Sequence, residues 1–112
     1  MKEFLLVFRR DKKAMDAQHS AGQMQTHLKH WDDWLSDLAS QNILVRPYHS
    51  IDSQGIILNP DNTVASGPYC ELKESITGMI VINAIDYAEA LKIAQGCPVL
   101  EVGGNVEIRL GN

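Results

Sequence analysis

Apolar residues in this chain form two kinds of pattern: strand-length runs, and one long stretch in which they recur every three or four positions. Lys2-Glu3-Phe4-Leu5-Leu6-Val7-Phe8-Arg9 is too continuously apolar for a strand wetted on one face, and it predicts a central strand buried on most of both faces. Ser20-Ala21-Gly22-Gln23 offers a capping box, the serine hydroxyl accepting from an early helix amide while the glutamine reaches back, so a helix should begin there. Met24, Leu28, Trp31, Leu35 and Leu38 then draw one apolar stripe along a helix ending near Ser40. Trp34 lies beside the stripe, and Lys29, Asp32, Asp33, Ser36 and Asp37 fill the polar side.

Ile43 to Tyr48 reads as a short strand that Pro47 restricts to an edge, because proline cannot donate to the ladder. Gly55 to Leu58, the turn Asn59-Pro60-Asp61-Asn62 and the return Thr63-Val64-Ala65 make a hairpin. Thr77 to Asn83 is a second β-branched run suited to a central strand. Asp86-Tyr87-Ala88-Glu89 opens another helix with a capping box, Ala90, Leu91 and Ala94 give it a packing face, and Gly96 followed by Pro98 ends it. Val106, Ile108 and Leu110 alternate with Glu107 and Arg109, as in a half-buried final strand.

The expected fold is therefore α+β, a ferredoxin-like βαββαβ plan with a hairpin insertion. Two helices on one sheet face leave the other face bare. Phe4, Leu6, Phe8 or their neighbours must then find cover, which predicts a homodimer in which two sheets pack together.

The length of 112 residues supports one domain over 1–112, and 45% hydrophobic with 21% charged residues is ordinary globular composition. A net charge of −4 argues against a nucleic-acid partner, since phosphates need a positive surface; the basic cluster at residues 9 to 13 reads as a solvated loop. The longest apolar runs are far shorter than the roughly 20 residues of a bilayer crossing, so no membrane association is expected. No secretory signal is recognisable, and a cytoplasmic location follows as the expectation. Cys70 and Cys97 stand in unrelated contexts, without a CxxC pair, and should be reduced thiols. Gly103-Gly104 precedes no helix start and is a turn rather than a phosphate loop, so no cofactor is expected.

Residues 66 to 84, Ser-Gly-Pro-Tyr-Cys-Glu-Leu-Lys-Glu-Ser-Ile-Thr-Gly-Met-Ile-Val-Ile-Asn-Ala, resemble the signature of the DGPF branch of the YCII-related family. Gly67, Pro68, Glu71, Lys73, Glu74 and Gly78 match its Asp-Gly-Pro-Phe, Glu-x-Lys-Glu and glycine positions, whereas Ser66 and Tyr69 stand where the family has Asp and Phe. The opening strand, Met-Gln-x-x-Leu-x-x-Trp-x-x-Trp at 24 to 34, and Gly96-Cys97-Pro98 extend the likeness over nearly the whole chain. The resemblance implies a dimeric α+β barrel and no particular substrate. It also implies a helix histidine, here His27, paired in relatives with an acidic residue. With Ser66 in the acid's place the inherited catalytic role is weakened, because a hydroxyl cannot hold an imidazolium by charge.

Among chemistry-bearing residues, His27 should lie at the margin of the helix stripe, as a boundary residue or as a general acid/base. His27 and His30 are three apart, and Asp33 or His49 could join them around a metal, yet no HExxH pattern is present and no dedicated metal is expected. Ser66, Gly67, Pro68 and Tyr69 could present amides and hydroxyls to a small ligand, with Glu71 and Lys73 in the same cluster, or form a structural turn. Three functions remain open. The favoured one is a small-molecule-binding dimer with its pocket between the first helix and the 66 to 71 loop; the others are an enzyme using His27, with Ser66 or Tyr69 orienting the substrate, and a protein-interaction module.

Overall fold

In the computed structural model, which describes residues 1–10, 21–51, 55–67 and 75–111, the apolar runs become strands of one four-stranded antiparallel sheet. Its strands are β1 (Lys2–Arg10), β2 (Leu44–Ser50), β5 (Ser75–Ala84) and β6 (Asn105–Leu110), in the order β2-β5-β1-β6. With helices α1 (Ala21–Ser40) and α2 (Tyr87–Ala94) between them, this is the βαββαβ order of a ferredoxin-like sheet. The hairpin β3 (Gly55–Leu58) and β4 (Val64–Gly67) is inserted before β5 as a separate two-stranded sheet. Its turn is closed by a hydrogen bond from Asn59 N to Thr63 O, with Asn62 in the left-handed region at φ 67°.

The runs read as central strands are central: β1 lies between β5 and β6, and β5 between β1 and β2. Pro47 stands on the edge strand β2, where the pairing with β5 shifts register between Arg46 and His49, so the missing amide leaves no gap in a regular ladder. In α2 the Asp86 carboxylate accepts from Glu89 N at 2.9 Å, and Glu89 reaches back to Ile85 N at 3.3 Å. A cap of this kind contributes about 1 kcal/mol. Ser20, proposed as the cap of α1, lies outside the described residues.

Register alternation assigns the sheet faces. Phe4, Leu6 and Phe8 of β1 and Ile80, Ile82 and Ala84 of β5 point to the helices and form the core with Leu38, Ala90, Ala94, Cys97 and Val99. The opposite face pairs Leu5 with Val81 and Val7 with Met79, and no described helix covers it. Two expectations about helix faces change here. Leu28 is 58% exposed and Leu91 53%, while His27, at 5%, is buried in the inward line with Leu38. The bulk of Trp31 and Trp34, one turn apart from His27 and Leu38, rotates α1 toward the indoles. Leu28 is thereby swung outward, because both rings pack edge-on against Phe8, at 5.1 and 6.1 Å between centroids.

After α2 the chain enters a short 3-10 turn, Pro98–Val102, where the sequence suggested only a stop. Pro98 opens that turn, as its fixed φ allows, and Gly103 closes it in the left-handed region at φ 79°. Gly104 follows so close to β1 that a Cβ there would lie 2.5 Å from Arg9 O, and no other residue fits.

Candidate functional site

Where the first turns of α1 face the Pro98–Val102 turn, three side chains converge. His30 Nδ1 is 2.9 Å from Glu101 Oε2, and His27 Nδ1 is 3.6 Å from the same oxygen. The Glu101–His30 hydrogen bond is the main reason that the Glu101 carboxyl is held below the usual carboxylate range. At 3.6 Å Glu101 is a charge neighbour of His27 rather than a hydrogen-bond partner, and the buried His27 Nδ1 makes no hydrogen bond among the described residues.

The other nitrogen of His27 is occupied. Trp31 Nε1–H, one helical turn on, donates to His27 Nε2 at 3.0 Å. An indole nitrogen can only donate, so Nε2 must carry the lone pair and the single proton of the neutral ring resides on Nδ1. Burial lowers the His27 pKa, outweighing the nearby Glu101, which raises it; Arg10 and His30 add to the lowering. Near neutral pH the ring is therefore uncharged and presents Nδ1–H.

Two cavities flank this imidazole. The larger, about 490 Å³, is lined by Gly22, Gln23, Thr26, His27, His30, Glu101 and Val102. The smaller, about 190 Å³, has His27 as a wall it shares with the first, and Met24, Leu28, Trp31, Leu35 and Tyr48 supply its apolar surface. Tyr48 is fixed there: its hydroxyl donates to Thr77 O at 3.2 Å, and its ring lies over Gly78, where a Cβ would come within 2.5 Å of Tyr48 Cε2.

The residues singled out in the sequence are brought together only in part. His27 and His30 share a site, but Glu101 accompanies them, and neither Asp33 nor His49 lines either cavity. No group of three among the described residues is arranged to hold a metal. Ser66 and Gly67 stand in β4, paired with Ile56 and Gly55, while Pro68, Tyr69, Glu71 and Lys73 lie outside the described residues. Glu101 was missed because it is 71 positions from His30 in a segment with no motif, and its one signal is to be an acid within an otherwise apolar turn. Cys97 is buried and its thiol is pushed up to about 12 by burial, so it stays protonated and unreactive.

Sheet order and site together define an α+β domain that carries a buried helix histidine beside a carboxylate at an open cavity. The profile of the YCII-related domain matches residues 3–110, nearly the whole chain, and the protein belongs to that family. No curated protein matches the chain. No helix among the described residues is long and apolar enough to cross a membrane.

Proposed function

We propose that this protein is a homodimeric small-molecule-binding protein whose ligand occupies the larger cavity and accepts a hydrogen bond from His27 Nδ1–H. The observation that carries the reading is the Trp31-to-His27 hydrogen bond of 3.0 Å. It leaves the ring as a fixed donor that makes no hydrogen bond among the described residues, with Glu101 only a charge neighbour at 3.6 Å, and a buried donor left unmatched costs about 1–3 kcal/mol until a ligand supplies the acceptor. Glu101 beside it disfavours an anionic ligand and accepts from a hydroxyl, so an uncharged molecule bearing hydroxyl and carbonyl groups suits the pair.

The same bond argues against His27 as a general base. A base needs a lone pair toward the substrate, and here the lone pair is turned to Trp31; protonating the ring would set two N–H groups against each other. The homodimer is supported by the sheet face that no described helix covers, where Leu5, Met79 and Val81 are only partly buried around a buried Val7.

A thermal-shift panel of small uncharged hydroxy and carbonyl compounds tests the reading. A rise in Tm is expected for the native chain, lost in His27→Leu and reduced in Glu101→Gln, whose exposed position spares the fold. A panel that leaves the native Tm unmoved removes it.

A further inference from the structure

The smaller cavity has features that a solvent-filled groove lacks. Its apolar surface comes from two different layers, α1 and the sheet, and both of its aromatic walls are held by hydrogen bonds. Trp31 donates to His27 and Tyr48 to the Thr77 carbonyl. Their rings stand 5.2 Å apart between centroids at a tilt of 46°, in contact with one another, so they form one continuous aromatic wall. Leu28, turned out of the core, lies on the same wall. At about 190 Å³ the space exceeds the roughly 150 Å³ cavity that accepts a benzene ring in other proteins.

We infer that the smaller cavity is a second subsite, so that the ligand is an uncharged molecule with a hydroxyl or carbonyl head at His27 and Glu101 and a single planar, apolar ring packed against the wall that Trp31 and Tyr48 form, with Leu28 and Leu35 beside it. This rests on the head-group reading proposed above and deepens it. His27 is the hinge of the argument because it lines both spaces: Nδ1 is the atom beside Glu101, a wall of the larger cavity, and Nε2 is bonded to Trp31, a wall of the smaller. A ligand spanning the imidazole would therefore touch polar groups at one end and aromatic carbon at the other. Arg10 and Asp32 also line the smaller cavity, one of each sign, so the wall carries no excess charge that would call for an ionic tail.

The test uses the native chain labelled with 15N and two probes, benzyl alcohol, with ring and hydroxyl, and glycerol, with hydroxyls alone. Benzyl alcohol is expected to shift both the Trp31 indole N–H and the His27 imidazole resonances, and to bind about tenfold more tightly than glycerol. Trp34→Phe assigns the two indole signals. Leu28→Trp, at an exposed position, fills the smaller space and should bring benzyl alcohol down to the affinity of glycerol. Equal affinity for the two probes, or a Leu28→Trp chain that binds benzyl alcohol as the native one does, overturns the second subsite. If benzyl alcohol moves the Trp31 indole while His27 is unmoved by either probe, the apolar subsite stands and the head-group reading falls. Silence at both residues ends both.

Discussion

One hydrogen bond sets the chemistry of His27. If Trp31 fixes Nε2 as the acceptor, histidine 15N spectra of the native protein should report the Nδ1–H tautomer at neutral pH, and an Nε2–H ring would refute the assignment. Trp31→Phe removes that donor. The variant should lose about 2 kcal/mol or more in urea unfolding, from an unmatched buried nitrogen and a smaller ring against Phe8, and its His27 should become a mixture of tautomers. Stability should also depend on pH through this residue. The folded chain holds His27 below its ordinary value of 6.5, so as pH falls the unfolded chain takes the proton first. Stability is then fully present above 6.5 and declines below it, and His27→Gln should flatten that slope between pH 7.5 and 5.5; an unchanged slope would exclude His27 as its source. Little of this is legible in sequence. The i, i+4 spacing of His27 and Trp31 is plain, but nothing in it says that the pair turns inward while Leu28 turns out.

At the scale of elements, the agreement between pattern and structure is closest where a local rule suffices. The capping box before α2, Pro47 on an edge and the β3–β4 hairpin depend on near neighbours in the chain and stand as read; β6 packs Val106 and Ile108 against the core as read, while Leu110 at its end is exposed. The departures lie where two elements meet. The Pro98–Val102 turn forms because Val99 is buried against β1 and Gly104 allows the chain to pass Arg9 O, and it is this turn that delivers Glu101 to α1. Gly104→Ala should therefore cost about 2–3 kcal/mol, since the clashing atom is backbone and cannot swing aside. It should also loosen the hydrogen bond between Glu101 and His30, read as a rise of the Glu101 carboxyl pKa toward its ordinary range. A chain that tolerated the alanine with unaltered stability would show that the close approach is not obligatory.

For the whole molecule, the radius of gyration of 15.4 Å exceeds the ~13 Å of a compact chain this long, and the shortest dimension is 20 Å, the thickness of one sheet and one helix layer. A third layer is what a second copy would supply. Light scattering should give twice the chain mass of 12.5 kDa, and Val81→Glu, on the open face, should return the protein to a monomer. A native monomer at micromolar concentration would end the dimer reading. What the sequence determined by itself was the strands and the two α-helices, their order and the α+β class, because hydrophobic period, caps and turn residues act over a few positions and are written consecutively in the chain. Tertiary structure alone decided which face of α1 is buried, where Glu101 comes to rest, and that His27 offers a proton rather than a lone pair. Those outcomes depend on the packing of indoles against Phe8 and on a contact between residues 71 positions apart, and neither leaves a periodic trace in the residues that take part.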